Sequence, residues 1–83
     1  MKILYFARIR QIAGRSADDV EVPASVKTIR ELIDYLSGRD AGLAAAFSEL
    51  RTVKAAINQN HVALDAPIAG ATEIAFFPPV TGG

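Results

Sequence analysis

The 83 residues are enough for one small domain, and a chain of this size buries only about 60–65% of its unfolded surface, leaving one core and little room for a deep active-site cavity. Nine basic and nine acidic residues cancel, with no basic patch interleaved with aromatics, which argues against nucleic-acid and membrane partners. The absence of cysteine excludes disulfides, thiolate catalysis and zinc–thiolate sites.

MKILYFAR (1–8) predicts a strand that is apolar on both faces, with Ile3, Tyr5 and Ala7 on one side and Leu4 and Phe6 on the other, the pattern of a central strand. IRQIAGRS follows and ends in a turn at Gly14. DDVEV (18–22) alternates like a half-buried strand stopped by Pro23. Thr28-Ile29-Arg30-Glu31 fits a capping box. Ile29, Leu32, Ile33 and Leu36 then make one apolar stripe on a helix, with Gly38 as a plausible C-cap. LAAAFSEL (43–50) suits a second, shorter helix with Leu43, Phe47 and Leu50 inward. VKAAIN (53–58), a turn at NQN (58–60) and HVAL (61–64) form a hairpin. DAPIAGAT is loop, and EIAFF (73–77) is a last strand with two apolar faces.

Strands on both sides of a helix cannot all be hairpin neighbours. The first and last strands, apolar on both faces, belong side by side at the centre of a mixed sheet with the helix across one face. The fold class is therefore α+β: a β-grasp, or ubiquitin-like, domain over residues 1–77, with about five strands and one main helix. Residues 78–83 form an extended, flexible C-terminal Gly-Gly tail. No run approaches the ~18 apolar residues of a membrane span, and ILYFA is too short for a signal-peptide core, so the domain is expected to be soluble and cytoplasmic.

One helix covers one face. Ile3, Tyr5, Ile74 and Phe76 serve it, and Leu4, Phe6 and Phe77 are left on the other. If the outer strands are neighbours, Phe6 and Phe77 lie in an open patch that suits a partner; reversed parity or a covering loop is the alternative. His61 has no second ligand or nucleophile near it in sequence; it reads as a hairpin residue on the rim of that face. Arg8 and Arg10 fit partner contacts or plain solubility. Pro78 and Pro79 lack the N–H that a ladder needs, so the sheet ends there. Extended, 78–83 spans on the order of 20 Å. Gly82-Gly83 can thread a channel that any Cβ would block, and an unhindered Gly83 carboxylate can attack the α-phosphate of ATP in a partner enzyme.

Through YFARIRQIAG, TIRELIDYL, VKAAINQ and above all IAFFPPVTGG, the chain resembles the small-subunit family of molybdopterin synthase, the ubiquitin-like sulfur carriers of molybdenum cofactor biosynthesis. The resemblance implies a cycle. An E1-like enzyme adenylates the terminal glycine with ATP, and a sulfur donor converts it to a thiocarboxylate. The tail then docks into the large subunit, where sulfur passes to cyclic pyranopterin monophosphate; the family complex is a heterotetramer. The chain is not catalytic alone, and no permanently bound cofactor or metal is implied. By the resemblance, Gly83 is the thiocarboxylated residue, Gly82, Thr81 and Val80 are the inserted tail, and Phe6, Phe77 and His61 are interface residues. His61 departs from the apolar residue relatives can carry, and AGATE replaces a frequent Gly-Asp turn. Carriers for thiamine or tRNA thiolation would use Gly83 identically; a β-grasp interaction module would not use it at all.

Overall fold

The structure, a computed structural model, describes residues 1–79. Its first strand, β1 (Lys2–Tyr5), is shorter than the apolar run around it. Phe6 is still extended (φ −124°), but Ala7 takes a positive φ of 51° and the chain turns into helix α1 (Ala7–Ala13). Gly14 closes that helix in the left-handed conformation (φ 81°), with its N–H donated to the carbonyl of Arg10, the backbone state glycine adopts without penalty. The expected turn at Gly14 is therefore present, whereas the expected strand through Arg8 is corrected to a strand followed by a helix. Ile9 and Ala13, one helical turn apart, are the buried face of α1.

β2 (Ala17–Asp19) pairs antiparallel with β1 and is shorter than the expected 18–22. The capping box forms in a shifted version. Thr28 Oγ1 accepts the N–H of Glu31 at 3.1 Å, while Glu31 Oε1 accepts the N–H of Lys27, one residue before the cap, at 2.6 Å. Two more N–H groups at this helix start, those of Ile29 and Arg30, are taken by the carbonyls of Ala66 and Leu64, so the loop before the last strand also caps the helix. α2 (Ile29–Arg39) buries Ile29, Leu32, Ile33 and Leu36, each contributing about 1.5–3 kcal/mol through removal from water. Gly38 is not its C-cap. The helix continues through it to Asp40, which ends α2 and N-caps α3 (Ala41–Ala46) by accepting the Leu43 N–H at 3.0 Å. The extended backbone of Asp40 (φ −151°) ends α2, and its carboxylate starts α3. Leu43 and Phe47 are buried as expected and Leu50 is half-buried at the start of a 3-10 turn (Leu50–Thr52).

β3 (Lys54–Ile57), β4 (Asn60–Val62) and β5 (Glu73–Phe77) complete a sheet of order β2-β1-β5-β3-β4. β5 is central and parallel to β1; all other pairs are antiparallel. This is the β-grasp arrangement. Ile3, Tyr5, Ile74 and Phe76 are essentially buried beneath the helices, and the Phe47 ring meets Phe76 edge-on at 4.9 Å, a favoured aromatic geometry.

Tyr5 is buried yet keeps a polar partner. Its hydroxyl donates to Asp18 Oδ2 at 2.8 Å. The Arg15 guanidinium holds the same carboxylate at 2.8 Å and reaches Asp40 Oδ2 at 3.2 Å, tying β1, β2 and the α2–α3 corner together. Burial first, then Asp18, pushes the Tyr5 hydroxyl well above its ordinary range. The Leu43 N–H first, then the Arg15 charge, holds the Asp40 carboxyl below its ordinary value. A carboxyl more acidic in the folded chain stabilises it above the unfolded pKa, and that contribution disappears as pH falls through the folded value. Asp40→Asn retains a capping oxygen but loses the charge and the Arg15 ion pair, so it should lower stability modestly at neutral pH, approach wild type in acid, and thereby flatten the acid limb of a stability–pH curve measured by urea unfolding. An acid limb as steep as wild type would show that Asp40 does not contribute to it.

Candidate functional site

The open face of the sheet follows from the register. Leu4 lies opposite Ala17 on one side and Ala75 on the other; Ala75 pairs with Ala56, and Ala56 with His61. This row crosses the sheet on the face away from the helices. One step toward the end of β5, Phe77 pairs with Lys54, and Phe6 follows β1 with 45% of its surface exposed. Ala56 and Ala75 are buried although no helix covers them, at 5% and 8% exposure, because the larger side chains around them shield their small ones. The floor of the face is thus small and apolar, and its rim is aromatic.

His61 reaches this face through the hairpin turn. Asn58 and Gln59 both have positive φ, 48° and 72°, the signature of a two-residue turn that matches strand twist. That turn fixes Ala56 opposite His61; a slip of one residue would send the imidazole to the other face. The His61 ring instead lies 4.9 Å from the Phe77 ring, tilted by 44°. Phe77 is half-buried and its aromatic neighbour is His61. The structure therefore puts Phe6, Phe77 and His61 on one face, at the end where the chain leaves β5.

Pro78 and Pro79 follow Phe77 outside the ladder and are half-buried. They line a groove of about 440 Å³ with Arg8, Ile9 and Ile12 of α1 and Ala45 and Ala46 of α3. Through Pro79 the chain lies against the helices, closer to the body than an immediate extended exit. Val80, Thr81, Gly82 and Gly83, to which the sequence assigns the inserted tail and the reacting carboxylate, lie outside the described residues. Arg8 reaches the groove from α1; Arg10, on the same helix, is exposed.

Sequence reasoning missed Ala7. Its positive φ costs a residue with a Cβ about 1–2 kcal/mol, and the bend it makes brings Phe6 to the surface while the Phe6 N–H still pairs with the Phe76 carbonyl at 3.0 Å. Strain held at a single surface position is a feature of sites whose presentation matters. The available signal was the spacing of Ile9, Ala13 and Gly14, which marks a helix end and requires the strand to stop early. No group of acidic or histidine side chains among the described residues is placed to hold a metal ion, and no helix among them is long and apolar enough to cross a membrane.

Residues 3–83 match the ThiS family. The molybdopterin synthase sulfur carrier subunits of Escherichia coli (strain K12) and Haemophilus influenzae are 37% and 31% identical to this chain, over all of it and 99% of each of theirs. The crystal structure of small archaeal modifier protein 1 from Haloferax volcanii superposes with a TM-score of 0.73 over 95% of both chains, at 27% identity. Fold and open face define a small ubiquitin-like protein of the β-grasp class. The chain belongs to the ThiS family and, within it, to the molybdopterin synthase sulfur carrier subunits.

Ala7→Gly removes the steric cost of the positive φ and should stabilise the fold by up to about 1 kcal/mol. The result is read as a higher denaturation midpoint at unchanged slope. A lower midpoint would mean that the bend is unstrained.

Proposed function

We propose that this chain carries sulfur on Gly83. The Gly83 carboxylate attacks the α-phosphate of ATP in an E1-like enzyme, forming an acyl adenylate and releasing pyrophosphate. Sulfide-level sulfur from a donor attacks the acyl carbon as the nucleophile and AMP leaves, giving a thiocarboxylate with no change of oxidation state. The tail, Val80 to Gly83, then enters the large subunit of molybdopterin synthase. There the thiocarboxylate sulfur attacks a carbon of cyclic pyranopterin monophosphate, displacing an oxygen substituent, and water cleaves the resulting thioester, leaving sulfur on the pterin and Gly83 as the carboxylate. The large subunit docks on the open face, with Phe6, Phe77 and His61 in the contact, and two such pairs make a heterotetramer. The carrier contributes no catalytic side chain; its reactive group is its own carboxylate, and ATP is a substrate of the activating enzyme.

The observation that supports this reading best is the match to the family through residue 83, which includes both glycines. The open face adds to it, because an aromatic rim over a small apolar floor at the exit of β5 suits a partner that must also take the tail. Carriers serving thiamine or tRNA thiolation would react identically at Gly83; the two relatives described above, both named for molybdopterin synthase, favour molybdenum cofactor biosynthesis.

Removing Gly83 should abolish sulfur transfer while leaving binding to the large subunit largely intact. Product formed at the wild-type rate would refute the carrier role. Phe77→Asp should weaken docking by several kcal/mol, because the carboxylate would be desolvated in an apolar contact. Unchanged affinity by titration calorimetry would place the interface elsewhere.

A further inference from the structure

Although the chain is neutral overall, its charges are not evenly spread around the point where β5 ends. Lys54 is opposite Phe77 in register and so stands on the open face itself. Arg8, on the other side, lines the groove that holds Pro78 and Pro79. Both are exposed, and neither takes part in an ion pair among the described residues. Glu49 lines the groove beside Arg8 but is bridged to Arg51 at 3.3 Å. Arg51 and Arg30 share a second groove with Lys54, faced by Asp65. Lys54 and Arg8 thus stand at the exit with no carboxylate among the described residues paired to either, a juxtaposition that the sequence does not display because it draws on β3 and α1.

From this arrangement we infer that the partner docking on the open face presents carboxylates that pair with Lys54 and Arg8 at the mouth of the opening that takes the tail. The inference rests on the docking reading above and specifies the partner's chemistry. Lys54 shares its register position with Phe77, so a partner that covers the aromatic ring also takes the ammonium out of water. Against a purely apolar surface that desolvation would oppose docking. Paired with carboxylates, the same cations fix the register and speed encounter, an effect that falls as salt screens it.

The test uses the full chain and the large subunit, with association followed by stopped flow between ~0.05 and ~0.5 M salt. Wild type should associate faster at low salt. Arg8→Glu with Lys54→Glu should slow association on the order of tenfold or more at low salt and flatten or invert the salt dependence. Lys27→Glu with Arg39→Glu makes the same change in net charge away from the exit and should stay near wild type; thermal melts on both double variants check that each is folded before its rate is compared. Equal slowing by both double variants would reduce the effect to net charge and overturn the inference. So would a wild-type rate for Arg8→Glu with Lys54→Glu. If those two cations prove to be needed for binding a single-stranded oligonucleotide and not for docking, they serve nucleic acid and the inference is also overturned. Failure of wild type to bind the large subunit at all would sink the docking reading itself, and this inference with it.

Discussion

The parallel pairing of Lys2–Tyr5 with Glu73–Phe76 is the contact on which the rest depends. It joins the two ends of the chain at the middle of the sheet, so both strands point the same way and finish at the same edge. Phe6 and Phe77 therefore emerge together at the point where Pro78 begins. A parallel pair needs a long crossover, and everything from α1 to β4 lies within it. Because the three helices pack on one face, that crossover closes the core and leaves the other face open. The open face and the point where the chain leaves β5 are thus set by a single pairing.

Two smaller devices refine that face. The bend at Ala7 ends the extended run directly after Phe6, and the Asn58–Gln59 turn sets which side of β4 carries His61. Both hold side-chain-bearing residues at positive φ, a local cost the surrounding pairs must offset. On the opposite face, the Tyr5–Asp18–Arg15–Asp40 chain braces β1 against the α2–α3 corner. The open face can stay uncovered because the core does not depend on it: Ala56 and Ala75 are shielded there but lie outside the main apolar cluster.

Much of this was readable from the sequence, for reasons that differ between elements. The Ile29–Leu36 stripe and its threonine cap are strong local signals, and α2 starts where they place it. The two-sided apolar character of the first and last strands located the central pair, and their alternation gave the open face. α1 was lost because a strand-like apolar run precedes it and the bend depends on a conformation of Ala7 that no residue type announces. Gly38 misled as a helix stop because Asp40 satisfies the next helix start and α2 simply runs through. Of the two cations at the exit, Arg8 was a candidate partner contact in the sequence, but its placement across the exit from Lys54 is made only by the tertiary fold. Gly83 was singled out by the Gly-Gly end after two prolines and the chemistry of its carboxylate, and the resemblance then implied its thiocarboxylate role.

The central claim is that Gly83 is the chemical end of the molecule. Intact-mass measurement after incubation with an E1-like enzyme, ATP and a sulfur donor tests it most directly. The account predicts a gain equal to exchange of one oxygen for sulfur, localised to the peptide ending in Gly83. An unmodified mass with every activating enzyme and donor system of the molybdopterin, thiamine and tRNA-thiolation classes would contradict it and leave a β-grasp interaction module.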